Sequence, residues 1–394
     1  MKYYINFLRD KPIIRSLSLV NFIASFGAWF STVAIYTMVV EFGSSEFAIA
    51  IVTAMHFIPA ILIAPFSGSL IDRLRIKPLM VTLLFIELSM TACFLLIETA
   101  LQIWLLLVFI FIRMSAASMF FSSEMSLLAK IATGKDLQTA NEIQSIIWSF
   151  TYAVGMAVSG FIVNLYGVKA AILIDVAIFV LAFFVFLNIK INIEYKKVEE
   201  KILELMIDGL RYIKNNKIIL HLIFLHASVG LTSYDALITI LAKNEYKELI
   251  AVPLAIGLSN AVRAVALMIG PLFLNKIIKK ENLQYLLIFQ GITIIIWAFA
   301  QSNFYLSLGA LFFVGFSTAF LWSYTYALLQ NHCDKRYIGR VISYNDMFFM
   351  LANVLTTLFI GTMAHITTTS IITICLGVAF LFYAYYYTKI YSKI

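Results

Sequence analysis

Glu87, Arg113, Asp235, Arg263 and Asp346 stand inside long apolar runs of this sequence. A charge in such a place costs roughly 2.5–3.5 kcal/mol by the lower estimates unless it is paired or wet, so each asks for a reason. Asp346 follows Asn345 and shares a helical face with Asn353, seven residues on. A carboxyl so placed can carry a proton, or it can pair permanently with a cation such as Arg113 or Arg263. Asp235 falls on one face with Ser228, Thr232 and Thr239, at spacings of four, three and four. That stripe reads as the wall of a watery cavity, or as an acid close to a membrane surface. Arg263 shares a face with Asn260 and suits either an anionic substrate group or an internal salt bridge. Gln144, Trp148 and Tyr152 recur every four residues; with Tyr324 they form a candidate aromatic substrate wall, ordinary packing being the other reading. Asn21 joins them as a candidate cavity residue. Glu87 reads as structural, Asp175 and Glu142 as acids near span ends where water is close, and His56 and His226 as isolated interhelical residues. No histidine–carboxylate cluster has metal-ligand spacing, so no metal and no cofactor is expected.

The elements that must position these groups follow from composition. The chain has 394 residues, 62% of them hydrophobic and 13% charged, with a mean hydropathy of +0.93. A soluble core cannot hide that much apolar surface, so lipid is the solvent for most of it. Apolar runs of about 20 residues or more, without strand-like alternation, specify helices rather than a barrel. Twelve spans are predicted, near 16–41, 46–71, 78–98, 102–128, 137–165, 169–189, 218–242, 250–275, 283–301, 304–329, 337–363 and 368–388. The segments on the side of the termini hold 24 of the 29 Lys and Arg, the opposite loops only Lys169, Lys243 and Lys247. The positive-inside rule therefore puts both termini in the cytoplasm, in a multi-pass protein of the bacterial inner-membrane type. The net charge of +8 is accounted for by this asymmetry and not by nucleic acid. Cys93, Cys333 and Cys375 are scattered and have no disulfide spacing.

The connection from Asn192 to Lys217 splits the spans six and six. Ile202, Leu205, Ile207, Leu210 and Ile213 give it the pattern of a helix lying on the cytoplasmic surface. Three domains follow: an amino-terminal half over 1–191, an amphipathic linker over 192–217 and a carboxyl-terminal half over 218–394. The halves repeat weakly: Leu127-Leu128 matches Leu328-Leu329, and Gly160 matches Gly361, both at an offset of 201. Parallel repeats of six helices describe a known transporter architecture.

The loop Gly68-Ser69-Leu70-Ile71-Asp72-Arg73-Leu74-Arg75-Ile76-Lys77 resembles the loop motif of the major facilitator superfamily through Gly68, Leu70, Asp72, Arg73 and Lys77. The resemblance implies an all-α membrane fold of twelve helices in two pseudo-symmetric halves. It also implies a conformational gate built from Gly68, Asp72, Arg73 and Lys77, with Asp72 braced against the start of span eleven, where Arg340 could add a charge pair. Arg113-Met114-Ser115-Ala116-Ala117-Ser118 resembles the family's span-four arginine motif and implies a role for Arg113 in proton exchange; a structural tie is the other reading. Asn21 to Thr32, Asp208 to Ile213 and Gly339-Arg340-Val341 resemble the branch that contains the enterobactin exporter and macrolide efflux proteins.

The sequence therefore predicts a monomeric secondary transporter that exports a small organic molecule, drug-like or siderophore-like, in exchange for protons or another coupling ion. Asp346, Asp235 and Arg113 are its candidate coupling residues. Asn21, Gln144, Trp148, Tyr152, Thr232, Arg263, Tyr324 and Asn345 are its candidate cavity residues. Uptake or metal-ion export on the same fold is the alternative, and a non-transporting receptor or assembly factor the second. No Walker motif or nucleophile–base constellation is present, so ATP hydrolysis and other enzymatic activity are not expected.

Overall fold

The structure, a computed structural model, describes residues 2–191, 202–275, 277–334 and 336–393. Regular structure among them is entirely helical, as backbone that cannot reach water requires. A short α1 (Lys2–Asp10) leads into α2 (Pro12–Glu41), whose Pro12 costs no hydrogen bond in a first turn. The second span is two pieces, α3 (Glu46–Ala54) and α4 (Ile58–Arg73), parted just before Pro59, which has no N–H to give. Then come α5 (Ile76–Cys93), α6 (Ile103–Ile131) and α7 (Gly134–Leu187). The 54 residues of α7 would reach about 80 Å if straight, more than twice a bilayer core. It is two crossings hinged at Gly167, whose φ of 82° suits only glycine comfortably. Among the described residues eleven helices are long and apolar enough to span, and the hinge makes twelve crossings, so both termini share one end of the bundle.

The second half begins after α8 (Ile202–Asn215), which exposes Ile207 and Leu210 and buries Ile213. Residues 192–201 of the linker expected here lie outside the described residues. The seventh span is broken: α9 (Lys217–Ala227) passes through a tight turn of helix at Ser228–Thr232 before α10 (Asp235–Asn244) begins. The break lets Gly230 lie against the backbone of Phe349 and Asn353, where a Cβ would come within 2.9 Å of Phe349 O and Asn353 N. The chain continues with α11 (Val252–Leu274), α12 (Leu283–Ala300), α13 (Phe304–His332), α14 (Ile338–Met363) and α15 (Thr369–Ile390). Asn303 and Thr368 cap α13 and α15 by accepting from backbone N–H groups of the first turn.

The halves meet most tightly at the end away from the termini. Gly160 of α7 rests on Gly257 and Pro253 of α11; a Cβ on Gly160 would lie 2.7 Å from the Pro253 carbonyl oxygen. Gly361 of α14 rests in the same way on Ala50 and Glu46 of α3. The two glycines that match across the sequence repeat thus do the same work at the two sides of one seam. Lys243 locks it further, with its Nζ 2.9 Å from Glu46 Oε1 and donating to the Ser44 carbonyl at 2.7 Å. Towards the termini the seam opens. On α7, Asn141, Ser145 and Trp148 are exposed, whereas Tyr152, Ser159 and Gly160 farther along are buried. A recess of about 450 Å³ lined by Gln138, Asn141, Glu142 and Ser145 lies at this open end.

Candidate functional site

Three polar clusters are buried in the bundle, two inside the first half and one across the seam. The first joins α2, α6 and α7 around Glu124, which is 1% exposed. Asn21 donates from Nδ2 to Glu124 Oε2 at 2.8 Å, and Gln144 donates from Nε2 to Oε1 at 2.8 Å. Asn21 Nδ2 also lies 2.6 Å from Gln144 Oε1, and Ser25 donates to Asn21 Oδ1 at 2.7 Å. Amides therefore bind this carboxyl, and no cation lies within ion-pair distance of it among the described residues. Tyr4 and Gln138 donate to Glu142 nearer the open end.

The second cluster ties α6 to the far arm of α7. Arg113 Nη2 is 3.3 Å from Asp175 Oδ2, and Nη1 donates to Ser31 at 2.5 Å. Phe94 and Phe179 lie 5.5 and 5.2 Å from the guanidinium as cation–π partners. Asp175 is fully buried, so it is not the water-exposed acid of a span end that its position suggested. A Cβ on Gly27 would strike Asp175 Oδ1, which leaves Gly27 as the floor of this pair. Such a dry, closed pair braces the half.

The third cluster bridges the halves. Arg263 Nη1 is 3.7 Å from Asp235 Oδ1, Nη2 donates to the Thr232 carbonyl at 2.9 Å, and Tyr234 lies 5.4 Å away as a cation–π partner. Tyr152 of α7 donates to Asn260 Oδ1 at 3.2 Å and accepts from Arg263 Nη1 at 3.4 Å. The stripe of Gln144, Trp148 and Tyr152 is therefore a route along one helix face, from Glu124 at one end to Arg263 and Asp235 at the other. Trp29 reinforces its middle, edge-on to Trp148 at 5.9 Å and 4.4 Å from Tyr152.

Several expectations need correction. The face of Asp235, Ser228, Thr232 and Thr239 does not exist as one helical stripe, because the turn at Ser228–Thr232 resets the phase. Asp235 instead begins α10, where the exposed N–H groups favour its charge, and Thr232 contributes its carbonyl rather than its hydroxyl. Tyr324 stacks on Phe320, whereas the ring partners of Trp148 are Trp29 and Tyr152; Trp322 and Tyr326, on the opposite face of α13, stack on each other at 5.0 Å. Asn345 donates to the neighbouring Asp346 at 3.4 Å, with Tyr326 beside that carboxylate. Arg340 pairs with Asp208 of α8 at 2.6 Å, while Tyr212 stacks on Tyr337 at 4.2 Å. The linker helix is thereby docked on the start of α14. Lys77 donates to the Leu187 carbonyl at 3.1 Å. Gly68, Asp72 and Arg73 fall in α4, but their side-chain environment lies outside the described residues.

Sequence reasoning missed Glu124, although it stands eleven residues after Arg113 in the same span. It also passed over Trp322 and Tyr326, whose spacing of four was as visible as that of Trp148 and Tyr152.

The sequence pattern of the Major Facilitator Superfamily matches residues 17–357. Among solved structures, the nucleoside transporter NupG superposes with a TM-score of 0.77 at 13% identity, covering 96% of this chain and 98% of that one. A bacterial homologue of the human lysosomal transporter Spinster, inward-facing and occupied, superposes with a TM-score of 0.74 at 14% identity, covering 98% and 97%. The same homologue, inward-facing and unoccupied, gives 0.72 at 13% identity, covering 96% of each chain. No curated protein sequence matches the chain. These findings overturn the narrower resemblance to the enterobactin-exporter and macrolide-efflux branch: its short motifs are shared, but the folds that match are those of other transporters.

Proposed function

We propose that this chain, which belongs to the Major Facilitator Superfamily, imports a small polar organic solute together with protons, with Glu124 as the proton-carrying group. Membership makes it a multi-pass, secondary-active transporter of a small molecule in a lipid environment, and not an enzyme. The finer reading rests on one observation. Glu124, buried in the first half, and Asp346, partly buried in the second, have no cation within ion-pair distance among the described residues, and the same holds for Glu87 on α5; Asp175, Asp235 and Asp208 each have one, and of the three without one Glu124 is the carboxyl held by two amides. A proton and a solute can then travel at separate groups in one step. A single shared carboxylate would force them to exchange.

Coupling expected at Asp235 is assigned instead to Glu124, because Arg263 already neutralises Asp235. Protonation of Glu124 changes an acceptor into a donor, so the amides of Asn21 and Gln144 must reorient to meet it. Gln144 sits on the face of α7 that ends at the seam, which gives the protonation state a path to the gate. With the basic loops in the cytoplasm, the open end of the seam faces inward. Asp72 remains assigned to the inner gate that its motif implies, where a change of its charge would favour one state over the other.

The test is uptake into proteoliposomes with a panel of radiolabelled amines, nucleosides and sugars. Accumulation above equilibrium is expected only when the exterior is the acidic side. Accumulation only when the lumen is the acidic side would make the protein an exchanger and overturn the import reading.

A further inference from the structure

A fourth cluster, between α9, α13 and α14, has no part in the proton route. His226 is fully buried there, and its ring lies 5.8 Å from Trp322, 5.4 Å from Tyr326 and 5.5 Å from Phe349. Its Nδ1 is 2.8 Å from Thr325 Oγ1. The single hydroxyl proton of Thr325 is committed to the Leu321 carbonyl at 2.7 Å, so Thr325 accepts from His226 and Nδ1 carries the hydrogen. In the neutral ring Nε2 is then a bare acceptor, and it meets no partner. Asp346 completes the set, with Tyr326 beside it. Trp322 is 40% exposed, so one wall of the cluster is accessible from outside the packed core.

The chemistry on offer is one-sided: a carboxylate without a cation, an unpartnered imidazole nitrogen and three aromatic rings. An anion would be repelled, and a neutral polyol would find few donors. The geometry points to a recognition site for a protonated organic amine attached to an aromatic or other flat apolar body. The ammonium would pair with Asp346, its remaining N–H would reach His226 Nε2, and Trp322 and Tyr326 would face the cation and the ring. This names the solute class of the importer proposed above and rests on that reading for its place in the transport cycle.

Binding is testable without a membrane. The probes are phenethylamine, charged near neutral pH, and phenethyl alcohol, its uncharged counterpart, titrated calorimetrically into the purified protein in detergent. The amine is expected to bind at least about tenfold more tightly than the alcohol, a difference of roughly 1.4 kcal/mol. Asp346→Asn should erase that preference. Trp322→Leu, which leaves the carboxylate in place, should weaken the amine by about fivefold or more, as the loss of a cation–π wall requires. Equal affinities, no amine binding, or a preference that survives Asp346→Asn in a protein of normal melting temperature would each overturn the inference. An importer of other solutes with no amine preference defeats this inference alone. Amine binding without proton-coupled uptake defeats the proposed function alone.

Discussion

Substituting Gly160 by alanine should push the transporter out of the state described here. The added Cβ would stand 2.7 Å from the Pro253 carbonyl oxygen and 3.2 Å from Gly257 Cα. A comfortable carbon–oxygen contact is about 3.3 Å, so α7 and α11 must part by roughly 0.6 Å where they cross. Overpacking of this kind costs about 1–3 kcal/mol. The cost falls only on the conformation in which the seam is closed at this end, because the contact is absent when that end opens. The ratio of the two states should therefore shift by roughly 5- to 150-fold towards opening. Gly309→Ala is the control, since a Cβ there meets nothing within 4 Å. Both variants gain the same intrinsic helix preference of alanine, so their difference isolates the crossing. Spin labels at Tyr166 and Leu249, both exposed near the closed end, report the separation by pulsed electron resonance. Gly160→Ala should populate longer distances and Gly309→Ala should not. Identical distributions in the two variants would refute the claim that this glycine crossing holds the gate.

Two further outcomes follow from the ion pairs. Arg113→Met strands Asp175, which is fully buried, and should destabilise the protein by about 3–5 kcal/mol in detergent melting; adding Asp175→Leu should recover most of the loss. A wild-type melting temperature for the single variant would instead favour the coupling role that its motif implies. Lys169 of α7, just past the Gly167 hinge, sits 2.7 Å from Glu98 on the loop between the third and fourth spans and holds that carboxyl below the usual carboxylate range. The favourable interaction is present above the ordinary carboxylate pKa and is lost as pH falls through the lowered value. Both side chains are largely exposed, so Lys169→Met should leave the melting temperature unchanged near neutral pH; a drop of several degrees would show a larger role for the pair.

The spans were legible in the sequence because lipid imposes length and hydropathy on each one separately. The prediction of 283–301 against α12 (Leu283–Ala300) shows how local that signal is. The repeat was legible too, since Gly160 and Gly361 occupy equivalent crossings where only a missing side chain lets two backbones touch. Pairings across helices were not legible. Arg113 had several candidate acids, and periodicity cannot say that Asp175 is the one that reaches it. Asp235 was misplaced on a stripe because nothing in a 3.6-residue period reports the tight turn at Ser228–Thr232. Glu124 was passed over because an acid near the charged end of a span looks solvated until Asn21 and Gln144 are seen to close over it. Tyr324 was preferred to Trp322 and Tyr326 because composition alone does not tell one side of α13 from the other.

The central claim is that Glu124 carries the proton, and Glu124→Gln tests it most directly. Glutamine keeps the size of the side chain and can meet Asn21 and Gln144 as the protonated acid would, so folding should survive. The measurement compares two modes in the same proteoliposomes: accumulation driven by an imposed pH gradient, and exchange of labelled for unlabelled solute without one. The account predicts that the variant loses gradient-driven accumulation while exchange continues, because exchange needs the loaded carrier to move but no net release of a proton. Accumulation at the wild-type level by Glu124→Gln would contradict it and place the coupling group elsewhere, with Asp346 and Glu87 the other carboxylates inside the spans that have no ion pair among the described residues.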